Sequence, residues 1–194
     1  MQIRLAALLF GLGFAACART AQAQFDGIYL GAGFGLYKLT IEVPDAFTLG
    51  NDKHVAGLNL AGGYGRSFGN FNLAGEFRYA DSAGKIDVLG TSAKLENAWS
   101  VSALPGLKFG DSALLFARAG YARAKLSGSF LEPDSSKTHT GWIWGVGAKG
   151  ALTRNLALSV EYQFYDMNDQ NYPLSGTNLR PSATGVVIGI QYTR

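Results

Sequence analysis

Leu156, Leu158, Val160, Tyr162 and Phe164 alternate with Ala157, Ser159, Glu161 and Gln163, a period of two that predicts a strand with one apolar and one polar face. Seven further stretches repeat the pattern. Ile28, Leu30, Ala32, Phe34 and Leu36 oppose Tyr29, Gly31, Gly33, Gly35 and Tyr37; Leu58, Leu60 and Tyr64 oppose Asn59, Gly63 and Gly65; Phe71, Leu73, Phe77 and Tyr79 oppose Asn72, Glu76 and Arg78. In the next, Trp99, Val101, Leu107 and Phe109 oppose Ser100, Ser102 and Lys108, although Pro105 interrupts that stretch. Trp142, Trp144, Val146 and Ala148 then oppose Gly145, Gly147 and Lys149, and Val186, Ile188, Ile190 and Tyr192 oppose Gly189 and Gln191. Around residue 117 either parity is apolar. Leu115, Ala117, Ala119 and Tyr121 are assigned outward because Phe116 shares its face with Arg118, and an arginine is costly against lipid.

The connections alternate in length: long at 39–54, 80–93, 126–139 and 166–182, short at Ser67–Asn70, Gly110–Ser112 and Leu152–Asn155. Pro44, Pro133, Pro173 and Pro181 fall in the long ones, where no ladder hydrogen bond is expected to be lost. A spanning sheet in hydrocarbon must close on itself, because every unpaired backbone group costs several kcal/mol there. The predicted fold is therefore all-β, an eight-stranded antiparallel up-and-down transmembrane β-barrel with long outer and short periplasmic connections and both termini in the periplasm. Outward Phe71, Phe109 and Tyr192 near the short turns, and Tyr79, Trp99, Tyr121 and Trp142 near the long connections, are candidates for two interfacial girdles. A soluble lipocalin-like carrier is the rival all-β reading, but its small cavity would have to hold the bulky apolar face.

Residues 1–23 are of another kind. Arg4 precedes an apolar run from Leu5 to Ala16, and Ala21-Gln22-Ala23 supplies a cleavage-site pattern, so 1–23 reads as a cleaved secretory signal and 24–194 as the barrel. The run is shorter than the roughly 18 residues of a spanning helix. Cleavage there removes Cys17, the single cysteine of 194 residues; Phe14-Ala15-Ala16-Cys17 as a lipoprotein box is the competing reading. Removing Arg4 and Arg19 lowers the 17 basic residues to 15 against 14 acids, a near-neutral balance that argues against nucleic acid. With 26 glycines and 16% charged residues, the composition favours strands over an ordinary soluble α/β mixture.

The inward charges are the candidate chemistry. Glu76, Arg78, Arg118 and Glu161 lie about five to seven residues from the short turns and are expected at a similar depth, with Lys108, Lys149 and Gln163 on the same inward face. Buried charges must pair, so these seven residues are read as a structural polar network plugging the lumen; a proton or ion path along the same groups is the alternative. Inward Gly31, Gly33, Gly35, Gly145 and Gly147 are read as space-makers in a narrow lumen, since no helix follows to make a phosphate-binding turn.

Asp26-Gly27-Ile28-Tyr29-Leu30-Gly31-Ala32-Gly33, Gly141-Trp142-Ile143-Trp144-Gly145-Val146-Gly147-Ala148 and Val160-Glu161-Tyr162-Gln163-Phe164 resemble the small eight-stranded outer-membrane barrels, the outer-membrane-protein-A-like and opacity-type, porin-like surface proteins of Gram-negative envelopes. Members usually end on an aromatic residue read by the barrel-assembly machinery; in Gln191-Tyr192-Thr193-Arg194, Tyr192 fits and Arg194 departs. The resemblance implies an outer-membrane location, contact with membrane lipids and lipopolysaccharide, and a role in envelope structure, as a surface antigen, or in adhesion and host contact through loops 39–54, 80–93, 126–139 and 166–182. No cofactor or metal site is assigned. A lipid A-modifying enzyme would need a histidine and serine near the outer rim. His54 and His139 are the histidines to weigh, with Ser135 and Ser136 near the second, but loops hold such pairs poorly and both histidines are read as solvated. Haem capture through the same histidines or Tyr172 is a weaker alternative.

Overall fold

A computed structural model describes residues 25–43, 47–82, 85–88, 91–128, 136–168, 170–172 and 177–194. Among the described residues ten strands are present: β1 (Gly27–Val43), β2 (Phe47–Phe68), β3 (Phe71–Ser82), β4 (Lys85–Val88), β5 (Thr91–Phe109), β6 (Ala113–Gly128), β7 (Ser136–Ala151), β8 (Leu156–Met167), β9 (Gln170–Tyr172) and β10 (Thr177–Thr193). Eight of them form a closed antiparallel ring in the order β1-β2-β3-β5-β6-β7-β8-β10, with β10 returning to β1 through a register running from Tyr29↔Thr193 to Glu42↔Arg180. Short β4 pairs with β5 and short β9 with β10, within the long connections. Closure leaves the ring without an edge, as an apolar slab demands.

Alternation decides which face meets what. Ile28, Leu30, Phe34, Leu58, Leu60, Phe77, Val101, Leu115, Trp144, Val146 and Ile188 are exposed on the outside, while Asn59, Asn72, Glu76, Arg78, Ser100, Ser102, Arg118 and Glu161 are buried inside. The ambiguous stretch resolves in the same sense, with Phe116 and Arg118 inward and Leu115 and Tyr121 outward. Among the outward aromatics, Phe77 stacks on Trp99 and Tyr121 meets Trp142 edge-on, each pair with centroids 6.3 Å apart.

Hydrogen bonding runs well beyond the predicted strand ends. β1 and β2 pair as far as Val43↔Phe47, β6 and β7 to Ser127↔Ser136, and β5 begins at Thr91, so much of 39–54, 80–93, 126–139 and 166–182 is strand rather than loop. The physical reason is that alternation records contact with lipid, whereas backbone pairing continues wherever two strands stay adjacent. Pro181 is corrected with these: it lies in β10 opposite Ile41, while the ladder to β8 begins only at Ser182. Pro44, Pro133, Pro173, the expected signal 1–23 with Cys17, and Ser135 lie outside the described residues. Pro105 is accommodated within β5, where the ladder to β6 omits Leu104 and Pro105 but the register on both sides is unchanged.

The three short turns are built locally. Gly69 and Gly110 hold φ of 65° and 63°, a left-handed conformation that costs a residue with a Cβ about 1–2 kcal/mol. In the third, the Thr153 hydroxyl accepts from the backbone N–H of Leu156 at 3.1 Å, and the N–H of Leu152 donates to the Leu156 carbonyl at 2.8 Å.

Candidate functional site: the charged lumen

The lumen is layered. Near the short turns Phe25 from the segment before β1 packs with Leu114, Ala151 and Ala157 as an apolar floor. Toward the long connections Ala98, Ala122, Ala124, Ile143 and Met167 form a second apolar layer, with Ala80 and Tyr165 against it. Charged residues occupy the space between. Each is aimed there by strand parity alone: Glu76 and Arg78 are alternate residues of β3, Arg118 belongs to β6 and Glu161 to β8.

These four side chains meet across the barrel. Arg78 donates through Nε to Glu76 Oε1 at 3.0 Å and through Nη2 to Glu161 Oε2 at 3.0 Å. Arg118 donates through Nη2 to Glu76 Oε1 at 2.7 Å and to Glu161 Oε2 at 3.2 Å, and its Nε contacts Glu161 Oε1. Tyr29 completes the carboxylate set by donating its hydroxyl to Glu76 Oε2 at 2.9 Å. Two cations and two anions thus share one desolvated cluster, the arrangement in which mutual attraction and hydrogen bonding best offset the cost of burial.

Lys149 lies outside this quartet. Its ammonium sits 4.8 Å from the Tyr29 ring centroid and 5.2 Å from that of Phe116, and it donates to Gln191 Oε1 at 2.7 Å. Two desolvated aromatic faces are each worth up to about 2 kcal/mol to such a cation. Gln163 is fully buried and accepts from the Tyr165 hydroxyl at 3.1 Å. Lys108 is placed apart from the cluster: it is half-buried and pairs in register with Leu114 of the floor.

Glycines make room for the aromatic side chains that fill the lumen. A Cβ on Gly147 would stand 2.5 Å from Phe116 Cζ, one on Gly63 2.5 Å from Tyr29 Cζ, and the atoms nearest to one on Gly35 all belong to Tyr37. Tyr37 in turn donates its hydroxyl to Asn59 Oδ1 at 2.9 Å. Tyr29, Tyr37, Tyr165 and Gln191 were missed as network members by sequence reasoning. The available signal was their parity, identical to that of the charges on neighbouring strands.

His139 departs from the expectation of a solvated loop residue. It lies in β7 opposite Ala124 and is buried at 2% exposure, because β6 and β7 stay paired beyond it. His54 belongs to β2, opposite Lys38, and its side chain is outside the described residues. No group of three or more His, Cys, Asp or Glu positioned for a metal occurs among the described residues.

A closed ring of eight staves, apolar outside and ionic within, can be compared with known proteins. The model of the outer membrane protein beta-barrel domain matches residues 5–193. The chain belongs to this outer-membrane β-barrel family. Relatives include the 25 kDa outer-membrane immunogenic protein of Brucella abortus, 30% identical over 122 residues that cover 54% of this chain and 57% of the relative. The counterpart in Brucella melitensis is 32% identical over 108 residues, covering 48% and 51%. The chain therefore spans little more than half the length of the curated relatives it matches. Among solved structures, Neisserial surface protein A superposes with a TM-score of 0.63 at 16% identity over 87% of this chain and 98% of its own. The attachment invasion locus protein Ail of Yersinia pestis gives 0.56 at 15% identity, over 87% and 100%. At such identities the likeness concerns the fold. Family membership places this barrel in the outer membrane.

Proposed function

We propose that this outer-membrane barrel is a non-enzymatic surface protein that maintains the envelope and presents its long connections for contact with a host or with envelope partners. The filled lumen carries this reading. With Phe25 and Leu114 at one end, the quartet in the middle and Ile143 and Met167 at the other, the interior is committed to holding the wall together, which leaves recognition to the connections. The seven inward polar residues named from sequence act in this reading as a structural plug, with Lys108 a peripheral member. The long connections face outward and both termini face the periplasm, since the asymmetry of connection length follows that of outer-membrane barrels.

The partners are lipopolysaccharide and outer-membrane lipids along the apolar belt, the barrel-assembly machinery during insertion, and host ligands at the long connections. The names of similar proteins, an immunogenic outer-membrane protein and an attachment invasion locus protein, support exposure at the cell surface. A lipid A-modifying role is disfavoured by His139, which is held inside the wall rather than at the rim.

Exchange of the four long connections for short turns tests the division of labour. Insertion, read as the shift in gel mobility on boiling, is expected to persist while cell attachment and antibody binding to intact cells are lost. Attachment unchanged by all four exchanges would overturn the proposal.

A further inference from the structure

We infer that Arg123, on the outer face of β6, holds a phosphate of the lipid A of lipopolysaccharide, with the acyl chains laid against the patch of small residues beneath it. The inference rests on the reading of the long connections as the cell-surface end, and it gives the lipid contact of that reading one defined place on the wall.

Charge is the first argument. Along the outer face of β6 the apolar run of Leu115, Ala117, Ala119 and Tyr121 ends at Arg123, which is exposed, and Lys125 follows on the same face. Glu96 stands opposite Lys125 in register, whereas Arg123 is paired with Trp99 on one side and Thr140 on the other. Asp81 and Asp166, the acids in register with outward Leu58 and Trp142, belong to β3 and β8, each two strands away from β6. The Arg123 side chain makes no ion pair or hydrogen bond among the described residues. A cation on the lipid-facing wall is costly at depth but is drawn to anionic headgroups at the interface, and a guanidinium fork matches the oxygens of a phosphate.

Shape is the second. An aromatic collar surrounds and underlies Arg123: Trp99 lies opposite it, and Tyr121 meets Trp142 edge-on with centroids 6.3 Å apart. A β-bulge at Asn97, held at φ 51° and accepting from the Tyr79 hydroxyl at 2.7 Å, marks the same level on β5. Deeper on the wall the relief falls. Ala119 pairs with Ala103 and Ala103 with Gly75, so three adjacent strands present only small residues there, and a Cβ on Gly75 would meet nothing within 4 Å. A cation, a collar of rings and a shallow apolar bed thus follow one another in the order of the phosphate, shoulder and chains of an anionic lipid. The outward Arg66 lacks this setting: it belongs to the short-turn end and lies 5.6 Å from the Phe68 ring centroid.

The experiment titrates the purified barrel, refolded in detergent, with lipid A, with lipid A stripped of its phosphates, or with phosphatidylglycerol, and reads bound lipid by native mass spectrometry. Lipid A is expected to bind and the dephosphorylated form to bind far less. Arg123→Gln, at an exposed position that folding does not depend on, should weaken lipid A binding about tenfold through loss of a charge-assisted contact. Arg66→Gln should leave it unchanged. Lipid A binding that survives Arg123→Gln, falls equally with Arg66→Gln, or is matched by phosphatidylglycerol overturns the site. Orientation is checked separately by labelling Asp81→Cys on intact cells with a membrane-impermeant maleimide. Labelling is expected; its absence overturns the cell-surface placement, and with it the choice of lipid, even where lipid A binds in detergent.

Discussion

Arg118 Nη2 lies 2.7 Å from Glu76 Oε1, although their strands are separated in the wall by β5. A contact of that kind reaches through the interior past an intervening strand instead of running along the sheet, and with the Arg78–Glu161 pair it ties β3, β6 and β8 together inside the ring. Both side chains are nearly inaccessible, so neither charge retains water as a substitute partner.

Glu161→Gln is expected to leave Arg78 and Arg118 sharing one carboxylate and to cost about 3–5 kcal/mol, the usual penalty for stranding a buried charge. Replacing Arg118 and Glu161 together by Met keeps the remaining Arg78–Glu76 pair balanced and should cost much less. Urea titration of the refolded barrel measures both; equal losses would refute coupling across the lumen.

Gly35→Ala places a methyl group into the Tyr37 ring and should cost about 1–3 kcal/mol by overpacking. Since the three nearest atoms all belong to that one side chain, the penalty should vanish in a Tyr37→Ala background. A penalty that persists there would mean the wall itself, not the ring, excludes the methyl.

Lipid contact predicts a cost that depends on depth along one outer face. Ile188→Lys, in the middle of β10's outer face, should destabilise the inserted barrel by about 2–4 kcal/mol, and Tyr192→Lys, near the short turns, by about 0–1 kcal/mol. Spin labels at Leu158 and Val160 should report hydrocarbon. Similar costs at positions 188 and 192, measured by reversible folding into bilayers, would contradict the assigned depth.

Two glycines with open space around them separate backbone from packing effects. Gly69→Ala, at φ 65°, should lose about 1 kcal/mol, whereas Gly75→Ala, in ordinary β3 backbone, should gain about 0.4–1 kcal/mol by restricting the unfolded chain. Half-unfolding temperatures moving in the same direction would show that the turn conformation is not what Gly69 supplies.

Fold class was legible in the residues themselves. Leu158, Val160, Tyr162 and Phe164 against Ser159, Glu161 and Gln163 announce a strand between oil and a polar interior, and the parity argument that turned Arg118 inward also turned Phe116 inward. Extent was less legible. β1 and β2 continue to Val43 and Phe47 because cross-strand hydrogen bonds do not require apolar side chains, and His139 became a wall residue for that reason.

Sequence alone determined the face of each residue along a strand, because a strand has only two sides and lipid tolerates one chemistry. Which inward residues touch depended on closure, stagger and tilt, properties of the whole ring. Tertiary structure therefore decided that Glu76, Arg78, Arg118 and Glu161 form one cluster, that Tyr29 joins it, that Lys108 stays at the floor, and that Lys149 rests between two aromatic rings.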